Sequence, residues 1–194
     1  MRRLLAGVLA CAPLMAGAAP VLDVSAGQLL GASGVDVGGT LYDVRFVDGS
    51  CAALFNGCDE VSDFTFTTMT SAHAAAQALL DEVFLDGSLG DFDTVPSLIN
   101  GCTASDHCSP LTPYELSSSG TGFSGASARN AVSESGDVVA DPLFSAALDL
   151  SDPVNGASAR VTFALWTLSA TTPPTGVPEP PTAAPLGPGL RPLA

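Results

Sequence analysis

Arg160-Val-Thr-Phe-Ala-Leu-Trp-Thr-Leu168 is a near-continuous apolar run that carries the chain's only tryptophan. Its β-branched and aromatic residues predict a strand buried on both faces, so it is read as the central strand that closes the core. Trp166 is then a packing residue, with ligand stacking the lesser reading. Working back, Leu41-Tyr-Asp-Val-Arg-Phe-Val47 alternates, with Tyr42, Val44 and Phe46 on one face and Asp43 and Arg45 on the other. That pattern predicts a half-buried strand, bounded by Gly38-Gly39 before it and Asp48-Gly49 after it. Val21 to Ser25, Gln28 to Leu30 and Phe64 to Thr67 read as further strand material, as do Val138-Val139 and Phe144 to Leu150. Between these runs, Ser71 to Leu85 brings Ala72, Ala76, Leu79, Leu80 and Val83 to one helical face. Thr70 or Ser71 is the expected cap, and Asp86-Gly87 the expected stop, with Gly87 at C′. Residues 87–135 are rich in Gly, Ser, Asp and Thr and read as loops. The fold class predicted is α+β: a mainly antiparallel β-sheet or sandwich with one amphipathic helix, about 71–85, and disulfide-closed loops.

The chain has 194 residues, 46% of them apolar and only 13% charged, which argues against a disordered chain. Its formal net charge is −14, and every basic residue is an arginine. A surface so acidic repels phosphate, so nucleic acid and anionic lipid headgroups are excluded as partners.

The first residues carry the pattern of an export signal. Arg2 and Arg3 precede the short apolar run Leu4 to Met15, and Ala16-Gly17-Ala18 offers small residues for signal peptidase. Cleavage is expected between Ala18 and Ala19. Val8-Leu9-Ala10-Cys11 resembles a lipoprotein box, but the run before Cys11 is short and the better peptidase site lies downstream. The expected domains are therefore a signal peptide at 1–18, one exported domain at 19–170 and a proline-rich tail at 171–194. Export leaves Cys51, Cys58, Cys102 and Cys108, an even set in an oxidising compartment. Four cysteines allow three pairings. The local one, Cys51–Cys58 with Cys102–Cys108, is favoured because each pair brackets a short, turn-rich loop. A zinc site on Cys102, His107 and Cys108 is the competing reading, and its spacing fits poorly.

Other chemical motifs are thin. Gly122-Phe-Ser124-Gly-Ala126 falls one residue short of a nucleophile elbow, and only His73 and His107 are available as a base. The acidic stretch Asp86-Gly-Ser-Leu-Gly-Asp91-Phe-Asp93 gathers carboxylates for a cation but lacks EF-hand spacing. No phosphate loop or dinucleotide fingerprint is present. No catalytic residue, metal ligand or cofactor is assigned, and the chain is read as a non-enzyme.

Val177-Pro178-Glu179-Pro180, late in a signal-bearing chain, resembles the sorting tripeptide of PEP-CTERM proteins, which Gram-negative bacteria export and sort by an exosortase. Gly38-Gly-Thr-Leu-Tyr-Asp-Val, Cys51-Ala-Ala-Leu-Phe and Ala74-Ala-Ala-Gln-Ala-Leu-Leu-Asp are similar to the body of one group of these proteins, a group with no assigned activity. The resemblance implies an exported protein of the periplasm, cell surface or medium. Its implied partners are signal peptidase, an exosortase and an exopolysaccharide or cell-surface matrix. It also implies a transmembrane helix and an arginine cluster after the tripeptide. Residues 183–194 depart from that pattern, being short and proline-broken, so a decayed or curtailed anchor is expected. Eight of the 15 prolines lie in residues 171–194, which predicts an extended tail outside the core. The alternative function is a secreted calcium- or carbohydrate-binding module, with Asp86 to Asp93 as its candidate site.

Overall fold

The computed structural model describes residues 18–145, 147–152 and 159–170. The signal-peptide residues 1–17, the sorting motif at Val177 to Pro180 and the proline-rich tail lie outside them.

Val21–Ser25 (β1), Gln28–Val37 (β2) and Thr40–Val47 (β3) form an antiparallel meander. Gly31 on β2 sits so close to β3 that a Cβ there would collide with the Val44 carbonyl oxygen, which restricts the position to glycine. A short helix, Cys51–Leu54 (α1), follows, capped by the Ser50 hydroxyl on the Ala53 amide. The main helix, Met69–Ala78 (α2), continues as a π-turn through Leu79–Val83. A small hairpin of Asp86–Gly87 (β4) and Gly90–Asp91 (β5) leads to two long strands, His107–Leu116 (β6) and Gly122–Ala131 (β7). The short strands Val138–Ala140 (β8) and Leu143–Ser145 (β9) both pair with β7, and Val161–Leu168 (β10) ends the domain.

The strands form one sheet in the order β1-β2-β3-β10-β6-β7-β8. As its apolar run predicts, β10 lies in the middle, antiparallel to β3 and parallel to β6. The sheet is therefore mixed, and a sandwich is not what forms. The predicted antiparallel arrangement yields at β10 because the chain returns from the far edge and enters between β3 and β6.

Successive residues of β10 feed opposite faces of the sheet. Ala164 and Trp166 join Tyr42, Val44 and Phe46 beneath α2, whose Ala72, Ala75 and Ala76 are fully buried. Phe163 joins Cys51, Phe55, Phe64, Leu111 and Phe123 on the other side, beneath α1 and the segment after it. Trp166 is buried between Tyr42 and Phe66, its indole N–H donating to the Thr112 hydroxyl at 3.0 Å. That bond provides the polar partner a buried indole needs.

Five expectations need correction. The helix begins two residues earlier than predicted, because Thr68 supplies the cap by accepting from the Ser71 amide. It ends at Phe84 through a π-turn, so Gly87 belongs to β4 and is not a helix stop. Phe64 to Thr67 is extended without a strand partner; its Phe64 and Phe66 are buried, and Thr65 donates to the Trp166 carbonyl at 2.7 Å. The strand expected over Phe144 to Leu150 is only Leu143–Ser145. The largest correction lies in residues 87–135, read as loops yet containing β6 and β7. Their composition misleads for a packing reason. Ala126 and Ala128 of β7 lie in the core under the alanine face of α2, where small residues let helix and strand approach. Pro110 falls in a gap of the β6–β7 ladder, between Cys108↔Asn130 and Leu111↔Ser127, and Pro113 stands at a bulge. At those two places a missing backbone donor interrupts little pairing.

Candidate functional site

The structure joins Cys51 to Cys58 and Cys102 to Cys108, with S–S distances of 2.02 and 2.00 Å. Both pairs are the local ones, and all four sulfur-bearing residues are buried. The second bridge removes the thiolates that a zinc site would need. His107 instead holds Asp106 at 2.9 Å, and Arg160 grips the same carboxylate at 3.0 and 3.2 Å. The Arg160 hydrogen bond, helped by His107, pulls the Asp106 carboxyl down to about 2. Among the described residues no three His, Cys, Asp or Glu side chains are placed to hold a metal ion.

The acidic stretch at Asp86 is largely committed to its own turn. Asp86 accepts from the Asp93 and Thr94 amides at 2.9 and 3.1 Å and from the Thr94 hydroxyl at 2.8 Å. Those bonds hold its carboxyl below the ordinary range, the Thr94 amide contributing most. Asp93 moves the opposite way, raised first by burial and then by the charges of Asp137, Asp86 and Glu134. Behind this turn the fully buried Asn130 donates to the Phe92 carbonyl at 2.7 Å, tying the hairpin to β7.

Ser124 and His73 come into one neighbourhood without forming a nucleophile–base pair. His73, on α2, bonds Asp141 through Nε2 to Oδ1 at 2.5 Å, and the Tyr114 hydroxyl reaches the same oxygen at 3.5 Å. Ser124 adjoins Tyr114, whose phenol is raised by burial and by Asp141 while the Ser124 hydroxyl opposes the rise. The order is Ser124, Tyr114, Asp141, His73, with the carboxylate between the tyrosine and the histidine. A serine nucleophile needs its base within hydrogen-bond reach, and among the described residues no bond joins His73 to Ser124.

Two of the surface clefts among the described residues border polar side chains on the sheet and its loops. One, of about 310 Å³, is lined by Gln28, Asp48, Gly101, Cys102, Thr103, Leu150 and Ser151. Beside it the Asp48 Oδ1 and the Oγ1 of fully buried Thr162 make no hydrogen bond. A Cβ at Gly101, whose φ is +87°, would collide with both oxygens. Burial raises the Asp48 carboxyl, and the nearby Thr162 hydroxyl tempers the rise without reaching hydrogen-bond geometry. The other cleft, of about 430 Å³, lies over β6, β7 and β10 and is walled by Asp141, Pro142 and Phe144. Sequence reasoning missed it, since Ser109 and Ser127 belong to the stretch read as loops and Asp141 was given no role.

No known family's profile matches the chain, and comparison with curated proteins and with solved structures finds no significant match. No helix among the described residues is long and apolar enough to cross a membrane.

Proposed function

We propose that the chain is an exported, non-enzymatic cell-surface or extracellular-matrix protein of the PEP-CTERM type, sorted through Val177 to Pro180 after cleavage between Ala18 and Ala19. The observation that best supports this reading is the pair of buried, locally closed disulfides, since such bridges form and persist outside the reducing cytoplasm. Signal peptidase, an exosortase and a surface polysaccharide matrix are the partners that follow. The test is expression of the full chain, with its own leader, in a Gram-negative host that carries an exosortase. Intact-mass analysis is expected to find a mature N-terminus at Ala19 and four oxidised cysteines. Replacing Pro178, Glu179 and Pro180 by alanine is expected to release the protein from the cell surface. An uncleaved, reduced chain in the cytoplasm sinks the reading.

A further inference from the structure

We propose that Asp48 and Thr162, which meet beside Gly101 at the cleft of about 310 Å³, hold a hard metal cation of calcium's size. The inference moves the calcium alternative from the acidic turn at Asp86 to the sheet, and it stands whichever way the export test falls.

Three remote segments build the site. Pairing of Phe163 with Val47 brings Thr162 of β10 beside Asp48, the residue after β3. Gly101 lies in the turn closed by the Cys102 amide on the Ile99 carbonyl at 3.0 Å. Thr162 is fully buried, and its Oγ1 and the Asp48 Oδ1 are both closed to solvent and without a hydrogen bond. A Cβ at Gly101 would stand 2.3 Å from the Asp48 oxygen and 2.4 Å from the Thr162 oxygen. The two oxygens therefore converge closely enough for one ion to touch both. Any larger residue at Gly101 would press on them.

The surroundings call for a cation. A buried carboxylate oxygen without a donor or counter-charge is costly. Asp106 is held by Arg160 and His107, and Asp141 by His73, whereas among the described residues Asp48 has no cationic side chain against it. Oxygen chemistry then selects the kind of cation. An ammonium group or a water approaches an oxygen only to about 2.8 Å. Calcium sits at about 2.3–2.6 Å, so oxygens shut to water can still close on it. Magnesium binds at roughly 2.0–2.1 Å and demands a regular octahedral shell. Zinc favours sulfur and nitrogen, and the nearby Cys102 is held in its disulfide. An anion meets Asp48 and the negative charge of the whole chain. Calcium takes about six to eight oxygens and does not require a cluster of carboxylates. Asp48 and Gly101 line the cleft, so water can enter from it, and Gln28, Thr103 and Ser151 place further oxygens on its wall. A single carboxylate makes this a weak site, with an expected Kd of about 0.1–1 mM.

The test is a calcium titration of the isotope-labelled chain, both disulfides intact and ionic strength constant, followed by amide chemical shifts and urea unfolding. Saturable shifts are expected on Asp48, Gly101, Cys102 and Thr162, together with a rise in the urea midpoint. Asp48→Asn keeps the shape but removes the charge, and is expected to weaken binding at least about tenfold. Thr162→Val exchanges the hydroxyl for a methyl group and is expected to weaken it about fivefold. Asp91→Asn, on the acidic hairpin, is expected to leave it within about twofold. In chelator Asp48→Asn should be at least as stable as wild type, and saturating calcium should reverse that order. If a variant unfolds, the wild-type shifts decide the matter. Absence of a saturable shift up to about 10 mM calcium overturns the inference. So does an equal response to sodium, or a shift cluster centred on Asp86 to Asp93.

Discussion

The two faces of the sheet are closed in different ways. Beneath α2 the covering surface is alanine on alanine where Ala72, Ala75 and Ala76 meet Ala126 and Ala128, with larger rings around that contact. On the opposite face a four-residue helix and the segment after it, fastened by Cys51–Cys58, lie over Phe55, Phe64, Phe123 and Phe163. Close approach of a regular helix lets small side chains fill one interface. An irregular cover cannot approach so evenly, and rings together with a crosslink fill the other. Truncation should therefore damage the ring-filled face most, whereas enlargement should damage the alanine face.

Phe163→Ala is the largest break expected. The ring lies 5.4 Å from Phe55 and 6.0 Å from Phe123, at the centre of the cluster on that face. A loss of about 3–5 kcal/mol in urea unfolding is expected. A loss below about 1 kcal/mol would mean that the irregular cover collapses onto the gap. Replacing Cys51 and Cys58 together by alanine is expected to cost about 2–3 kcal/mol through the freed unfolded chain. Under reducing conditions, wild type and this variant should differ little at that bridge. On the helix face, Ala76→Leu is expected to cost about 1–3 kcal/mol by forcing α2 away from β7. Ala76→Gly tests a different property: it creates almost no void there and acts mainly through helix propensity, costing about 1 kcal/mol.

The same contrast explains what could be read in advance. In β3 and β10 the faces are marked by large residues, so Tyr42, Val44, Phe46 and Trp166 announce their burial through the sequence alone. Strands β6 and β7 meet a helix at close range or carry prolines at ladder gaps, and their Ser, Ala, Gly and Pro resemble loop composition. The signal that could have found them is the alternation of small residues in Gly122 to Ala131, visible once the alanine face of α2 is taken as its complement. The disulfides were legible because each joins cysteines seven or six positions apart. The cleft over β6, β7 and β10 was not. Asp141 owes its orientation to His73, 68 positions away, and Ser109 and Ser127 meet only through strand register. Long-range pairing of single polar residues leaves no local pattern to detect.

A smaller effect is expected at Asp48, whose carboxyl is raised by burial. The folded state holds that proton more tightly than the unfolded chain. Its contribution is complete below the ordinary carboxylate range and is lost as pH rises through the raised value. Asp48→Asn removes this titration, so without calcium the variant should exceed wild type in melting temperature at neutral pH and converge on it in acid. An advantage that instead grows in acid would reverse the assigned direction.

The smallest effect lies outside both covers, where Arg160 holds Asp106 on the surface. Here the carboxyl is lowered to about 2, chiefly by the Arg160 hydrogen bond, so the sign is opposite to that of Asp48. The pair's contribution is present above the ordinary carboxylate range and is lost as pH falls through that low value. Exposed pairs of this kind add little to stability because water already solvates both charges. Arg160→Gln should therefore leave the urea midpoint almost unmoved while the side-chain carboxyl resonance of Asp106 titrates at a higher pH, back toward the ordinary range. His107 remains bonded to Asp106 at 2.9 Å, so the return should be incomplete, and adding His107→Ala should carry it further. If the resonance still titrated near its original midpoint in Arg160→Gln, the arginine would not be the principal cause of the shift. A marked fall in the urea midpoint would show instead that Arg160 helps to seat the start of β10, making this surface pair part of the sheet's closure.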